Sequence, residues 1–233
     1  MNKDFIQLEV KKIHKDILTA VGFGWLIVLG LAVFTFLTPN HRYLISGIQI
    51  NSWITVGIVT IIVVICTFFF LFRLIRGQKD LFKLHHPEAT LEQARQIIND
   101  EVSQIKAEIC LSPAKNSERQ RIVIMPTYSL IIDDKIQTIP TADIYWIRTE
   151  FESSRSKSNL IYRTFTKSGV ITTQMHMDRQ ESIGHIATVM PQIESHFPNV
   201  FAHLTDVEQD ALARKFDKDY QGFIKAYNDA KTD

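Results

Sequence analysis

Two long stretches without a formal charge constrain this chain more than any other feature of its sequence. They cover residues 17–40 and 43–72. A helix of about 20 apolar residues crosses the hydrocarbon core of a bilayer, so each stretch is long enough to span it. We therefore predict a transmembrane helical hairpin over residues 17–73, with helices at 17–38 and 52–73. No acidic or basic side chain lies deep inside either span, which disfavours an ion pump or carrier.

The basic residues predict how this hairpin is oriented. Four lysines precede the first span, four Lys or Arg follow the second, and only Arg42 lies between them. Positive flanks stay in the cytoplasm. We therefore expect an integral protein of the plasma or inner membrane, with the N-terminal segment 1–16 and the C-terminal domain in the cytoplasm. The short loop at about 39–51 would lie outside.

The overall charge of +1 hides an uneven distribution along the 233 residues. Residues 1–85 carry nine Lys or Arg and four Asp or Glu, whereas the remainder carries seventeen and twenty-one. A basic, apolar third joined to an acidic remainder excludes a single soluble globule, a disordered chain and a disulfide-built secreted domain. The acidic remainder also argues against nucleic acid as a partner.

The pattern changes after the second span. Apolar residues at helical spacing predict a linker helix near 88–107, and the linker segment is assigned to 74–106. Alternating patterns then predict seven short strands. Their expected positions are 107–111, 121–125, 128–132, 135–139, 143–151, 160–166 and 170–176.

An amphipathic helix follows the strands, with an apolar stripe from Ile183 to Phe197 that Pro191 interrupts. Strands closed by one helix predict an α+β domain over 107–200, built as a barrel or sandwich. The pattern Thr205-Asp-Val-Glu208 is typical of a capping box, and it predicts two further helices near 206–217 and 218–230 within the tail 201–233. We expect them to dock on the barrel, or alternatively to bind a partner.

The segment Tyr128–Ile147 contains a strand pair followed by Ile139-Pro140 and by Asp143-Ile-Tyr-Trp146. This segment, the Thr166–Gly169 turn and the helix after it resemble bacterial pleckstrin-homology-like (PH-like) domains. The two-span hairpin before such a domain is similar to an arrangement in bacterial membrane proteins. The resemblance covers about 107–200 and implies a seven-stranded PH-like barrel near a membrane, without implying a substrate.

The sequence contains few of the patterns that carry catalysis or metal binding. Cys66 and Cys110 fall at different depths or compartments, so we expect no disulfide. The chain has neither a Cys-x-x-Cys nor a His-Glu-x-x-His pattern, and with 9 Gly it has no glycine-rich phosphate loop. We therefore expect no enzyme, no metal and no cofactor.

One set of basic residues is typical of phosphate recognition. Guanidinium groups suit bidentate contact with phosphate, and the loop residues Lys115 and Arg119 with Arg121 resemble the basic loop of lipid-binding PH domains. Arg155 and Lys157 would lie in a later loop. These five residues are candidate contacts for an anionic lipid headgroup, and a solvated polar loop is the alternative.

These observations favour a membrane-anchored binding or scaffold module that recognises a protein or peptide, or a second copy of this chain, at the inner face of the bilayer. Trp146 and an exposed strand edge are candidate contacts, because a strand edge can accept a further strand. For Trp146 the alternative is a place in the barrel core. Lipid-headgroup binding, and an enzyme or transporter without a readable motif, are the alternative functions.

Overall fold

The computed structural model describes residues 4–38, 42–45, 48–86, 88–112, 120–153 and 158–232. The chain divides into two compact units. One comprises residues 1–83 with 134–136, and the other comprises residues 84–133 with 137–233. Each unit is described by itself.

The first unit contains the two apolar helices. Helix α1 extends over Phe5–Leu37 and helix α2 over Ser52–Asp80. Both are long and apolar enough to cross a membrane, with mean hydropathies of 2.4 and 2.6 in their most apolar windows, and almost none of those residues is buried. A core helix of a soluble protein would be covered by other elements, whereas large exposed apolar surfaces of this kind are typical of membrane or protein interaction sites.

The two helices pack against each other through a small residue and one polar contact. A side chain at Gly24 would meet Val63 at 3.6 Å. The Trp25 indole Nε1 donates a hydrogen bond to Thr67 Oγ1 over 3.1 Å. Small residues allow helix backbones to approach, and a hydrogen bond in an apolar environment spares two polar groups from being left unpaired.

The helices are longer than the spans predicted from the uncharged stretches. Helix α1 begins at Phe5, where the Asp4 side chain accepts a hydrogen bond from the amide of Gln7, and α2 continues past residue 73 to Asp80. The connection contains a hairpin of strands β1 (Arg42–Ile45) and β2 (Ile48–Asn51), which the sequence did not indicate.

A short strand and a helix follow α2. Strand β3 covers Phe82–Leu84, and helix α3 covers Leu91–Glu101. The Thr90 hydroxyl accepts from the amide of Gln93, whose side chain accepts from the amide of Thr90, so α3 begins with a capping box. Within the predicted linker segment, only residues 91–101 form this helix, and a 3-10 turn follows at Val102–Gln104.

Seven strands form in the order that the alternating patterns predict. They are β4 (Ala107–Cys110), β5 (Arg121–Ile124), β6 (Tyr128–Ile132), β7 (Ile136–Pro140), β8 (Ile144–Ser153), β9 (Ser158–Thr166) and β10 (Gly169–His176). Gly169, after the β9–β10 turn, has a φ of 127°, which favours glycine.

The prediction of a seven-stranded barrel is wrong, although the α+β class is confirmed. With β3 included, the described residues after α2 form eight strands in two separate sheets. One sheet has the order β3-β7-β6-β5-β4 and the other the order β10-β9-β8. Strand β3 has only three residues, too few for a period of two to be recognised, and its partner β7 follows about fifty residues later.

The two sheets and helix α4 (Arg179–Glu194) share one aliphatic core, which we call the inner core. Residues from β4–β7 and from β8–β10 pack together with Val189, Ile193 and Phe197 from α4 and the residues after it. Helix α4 continues through Pro191. Its buried face differs slightly from the predicted stripe, because Ile183 is 56% exposed whereas Ser182 and Val189 are buried.

The tail forms helices α5 (Asp206–Lys218) and α6 (Tyr220–Thr232). The predicted capping box is present, since the Thr205 side chain accepts from the amide of Glu208 and the Glu208 carboxylate accepts from that of Thr205. Asp219 separates the helices and caps the second by accepting from the amide of Gly222 over 2.9 Å. Both helices pack on the β8–β9–β10 sheet, on the face opposite the inner core.

Candidate functional site

An open cleft of about 740 Å³ runs beside strand β8. Six consecutive residues of the strand, 146–151, line it. Successive side chains of a strand point to opposite faces, so a cleft that touches six in a row must follow the edge of the strand. Strand β8 is the edge strand of its sheet, and no described strand pairs with its other edge.

The two walls of the cleft differ in chemistry. On the side of the inner core, helix α4 contributes Ile186 and Met190, which pack partly buried against that core. On the other side, helix α5 contributes Asp206, Gln209 and Asp210. Helix α4 also contributes Glu194, its last residue. A segment that occupied this cleft would therefore meet a largely apolar wall that ends in one carboxylate on one side, and a polar, acidic wall on the other.

The charged groups on the outer face of the sheet form a connected network. The Arg148 guanidinium binds the Asp210 carboxylate and lies 3.7 Å from Glu150 Oε1. Glu150 Oε2 in turn lies 2.9 Å from Arg163 Nε. Arg148 also lies over the Trp146 ring, with its guanidinium carbon 5.6 Å from the ring centroid. Because the Arg148 side chain is 11% exposed, these partners compensate for a largely buried cation.

This network changes the acidity of Asp210. The hydrogen bond from Arg148, and then the positive charge of Arg148, lower the pKa of the Asp210 carboxyl below its usual value. A smaller pocket of about 170 Å³ adjoins the network and is lined also by Arg163, Arg214 and Asp217. The Asp210 carboxyl therefore stays ionised at neutral pH.

Trp146 lies beneath the tail, where it is 1% exposed. Its ring stacks on Phe165, its cross-strand partner, with centroids 4.9 Å apart, and it meets Phe201 edge to face. Together with Phe216 and Phe223 these three residues form what we call the aromatic cluster. Trp146 is thus covered by the chain's own tail, outside the inner core, and the strand edge beside it is the accessible feature.

Three tyrosine side chains pack against the aromatic cluster and against one another. Tyr145 Oη lies 3.0 Å from Tyr220 Oη, and the Tyr145 ring meets that of Tyr227 at 5.2 Å. Burial, and then the hydrogen bond to Tyr220, raise the pKa of the Tyr145 hydroxyl above its usual value. The Tyr145 hydroxyl therefore stays protonated and joins β8 to the tail through a neutral contact.

Of the five candidate lipid contacts, Lys115, Arg119, Arg155 and Lys157 lie outside the described residues. Arg121 begins β5 and is 4% exposed, with its Nε 2.6 Å from Glu108 Oε1. Its partner strand β4 brings Glu108 next to it. The structure therefore places the Arg121 guanidinium in an ion pair with Glu108.

The described histidines and cysteines do not assemble a metal centre. Within the described ranges, no three His, Cys, Asp or Glu side chains stand close enough to hold a metal ion. His185 Nε2 lies 2.6 Å from the carbonyl oxygen of Leu111, and His176 Nδ1 lies 2.6 Å from Asn159 Oδ1. Both rings thus have local partners that orient them.

Comparisons with known proteins place the chain in no family, since no family model, curated protein or solved structure matches it.

Sequence reasoning proposed an exposed strand edge but did not identify which strand would carry it, and it missed Arg148, Glu150, Arg163 and Asp210. One signal was available: Arg148 and Glu150 alternate with apolar residues inside a strand, so they share a face with Trp146. Asp206 and Asp210 are four residues apart and therefore share a face of α5. Nothing in the sequence indicated that these two faces meet.

Proposed function

We propose that this chain is a membrane-anchored binding module that takes up an extended segment of a partner protein along the free edge of β8. The observation that carries this proposal is the cleft lined by residues 146–151 of an edge strand. An edge strand presents unpaired N–H and C=O groups, and an added strand satisfies them.

The surroundings of the edge support binding of a single segment. Helix α4 lies on one side of the cleft and α5 on the other, so the cleft admits a strand rather than a broad sheet. Neighbouring strands lie about 4.8 Å apart, and six residues of β8 offer about 20 Å of length. Main-chain hydrogen bonds would supply affinity, and the two walls would select side chains.

The membrane anchor is the second part of the proposal. Helices α1 and α2 are apolar over a length that spans a bilayer, and the flanking lysines and arginines favour cytoplasmic ends. A two-helix anchor would hold the C-terminal domain and its cleft at the inner face. The domain's residues are acidic overall, so the anchor rather than electrostatic adhesion to an anionic leaflet would keep it there.

The anchor is tested by the accessibility of single cysteines. In a background with Cys66→Ser and Cys110→Ser, Asn40→Cys should react with a membrane-impermeant maleimide in intact cells. Asn228→Cys should react only after lysis. Reaction of both in intact cells, or of neither, would contradict the proposed orientation.

The cleft is tested by matched substitutions on the two edge strands of one sheet. Thr149 lines the cleft on β8, and Thr172 is exposed on β10. Random peptides selected on the full chain in mild detergent should bind the Thr172→Trp variant like the wild type. They should bind Thr149→Trp at least about tenfold more weakly, because the indole fills the cleft.

Hydrogen exchange then locates the bound peptide. A peptide added to β8 should slow exchange of the amides in residues 146–151 and leave those of β10 unchanged. If no selected peptide loses affinity to Thr149→Trp, the edge of β8 is not the binding site and the proposal fails.

A further inference from the structure

We infer that the segment bound along β8 is cationic, with Lys or Arg at alternate positions and apolar residues between them. This inference rests on the proposed function and adds the chemical class of the partner. It is carried by the charges of the cleft and by the different chemistry of its two walls.

The cleft has an excess of acidic groups. It is lined by one guanidinium, Arg148, and by four carboxylates: Glu150, Glu194, Asp206 and Asp210. Including the adjoining pocket gives three guanidinium groups and five carboxylates. An acidic site attracts cationic partners and repels anionic ones.

Two of these carboxylates have no counter-ion among the described residues. Arg148 binds Asp210, and Arg163 lies beside Glu150, so those four groups largely compensate one another. Glu194 and Asp206 make no ion pair with any described residue, and they lie at the end of α4 and at the start of α5. The uncompensated negative charge therefore lies on the two helices that form the walls.

The alternation of β8 fixes where each kind of side chain would point. Ile147 belongs to the inner core, whereas Trp146 belongs to the aromatic cluster and Arg148 binds α5. A strand laid beside β8 alternates in the same way. Its residues on the α4 side would meet Ile186 and Met190, with Glu194 at the end of that wall, and those on the α5 side would meet Asp206 and Asp210.

The exposed side chains on the opposite edge strand of the same sheet, β10, differ in charge from those beside β8. The exposed side chains of β10 are Thr172, Gln174 and His176, none of them acidic. On β10 the Gln174 carbonyl accepts a hydrogen bond from Gln120 Nε2. The carboxylates beside β8 would give that edge a preference for cations.

The test uses the full chain in mild non-ionic detergent and three capped peptides with valine at alternate positions. The intervening residues are lysine in the first, glutamine in the second and glutamate in the third. At low salt the lysine peptide should bind about tenfold more tightly than the glutamine peptide, and the glutamate peptide should bind most weakly. Raising the salt should reduce the preference for lysine.

Matched variants assign the preference to the cleft. Glu194→Gln with Asp206→Asn should reduce the preference for lysine over glutamine by about five- to tenfold and leave binding of the glutamine peptide unchanged. Glu92→Gln with Asp229→Asn changes the net charge equally at exposed positions away from the cleft and should leave the preference intact.

The outcomes separate this inference from the proposed function. If the lysine and glutamine peptides bind equally and both lose binding in Thr149→Trp, the cleft binds peptides but the charge inference is wrong. If Thr149→Trp affects neither peptide, the proposed function is wrong. If the wild type is a dimer that Thr149→Trp dissociates and no peptide binds, a second copy of this chain occupies the edge, which also overturns the inference.

Discussion

One face of the β8–β9–β10 sheet packs on aliphatic side chains and the other on aromatic rings. The inner core draws Ile, Leu, Val and Met from both sheets and from α4, which are separated widely along the chain. The aromatic cluster draws Trp146 and Phe165 from the sheet and all its other members from residues 201–223. The tail therefore attaches as one local unit through a few large side chains, whereas the inner core depends on many elements at once.

This difference matters for the cleft, because α5 is one of its walls. Helix α5 is attached to the sheet through the aromatic cluster, which is a local unit. Such a unit can open or shift while the sheets remain folded, since local units open at a lower free energy than the whole domain. The two faces should therefore lose their structure as separate units.

The largest effect is expected from Phe223→Ala. Phe223 is fully buried and contacts Phe165 and Phe216 in the cluster. Loss of a buried phenyl ring costs about 3–5 kcal/mol. Hydrogen exchange should show that residues 206–232 lose protection while β4–β7 keep theirs, and Gln221→Ala at an exposed position of α6 should change little. Equal loss of protection in the tail and the sheets would show that the two cores form one cooperative unit.

Leu160→Ala should lower the free energy of unfolding by a similar or slightly smaller amount. The resulting loss of hydrogen-exchange protection should extend over more of the domain. Leu160 is fully buried in the inner core, where such a truncation costs about 2–5 kcal/mol. Both sheets, α4 and the tail should lose protection together, because the tail needs the sheet as its support. Thr172→Ala on the exposed edge serves as the control. Loss confined to the tail would contradict the assignment of Leu160 to the shared core.

Thr205→Ala should loosen only the wall of the cleft. The substitution removes the two hydrogen bonds of the Thr205 hydroxyl, one accepted from the amide of Glu208 and one donated to its carboxylate, at a cost of about 1 kcal/mol. The bond from the Thr205 amide to the Glu208 carboxylate remains. The amides of residues 206–209 should exchange faster, with little change in α6. Thr188→Ala, whose hydroxyl bonds within α4, is the matched control. Unchanged exchange at the start of α5 would show that packing, rather than the cap, fixes that end.

The smallest effect is expected from Asp210→Asn, and it should depend on pH. Arg148 lowers the pKa of Asp210 in the folded protein, so the pair stabilises the tail above the unfolded pKa of about 4. This contribution is lost as the pH falls through the depressed folded pKa. Since the Asp210 side chain is 54% exposed, the contribution of this ion pair to the stability of the tail should be below about 1 kcal/mol.

Tail opening measured by hydrogen exchange should therefore differ between wild type and Asp210→Asn at pH 6, and the difference should shrink below about pH 4. Asp229→Asn at an exposed position of α6 should produce no such difference. If the difference between wild type and Asp210→Asn persists at low pH, the asparagine side chain acts by disturbing packing and not by removing the charge.

Sequence patterns that span only a few residues were sufficient to predict many of the helices and strands. The uncharged stretches indicated both apolar helices, alternation indicated seven strands, and Thr205 with Glu208 indicated the start of α5. Each of these signals acts over a few residues, through side-chain burial or a hydrogen bond across one helical turn, and therefore can be read without knowing the neighbours.

The tertiary structure decided which edges pair and which faces meet. Strand β3 joins β7 by non-local pairing, the strands form two sheets instead of one barrel, and the outer edge of β8 has no described partner. Arg148 and Asp210 are sixty-two residues apart and meet only because the tail folds back on the sheet. The sequence by itself determined the elements and their apolar faces, whereas their long-range packing created the cleft, because a cleft consists of surfaces that no single element contains.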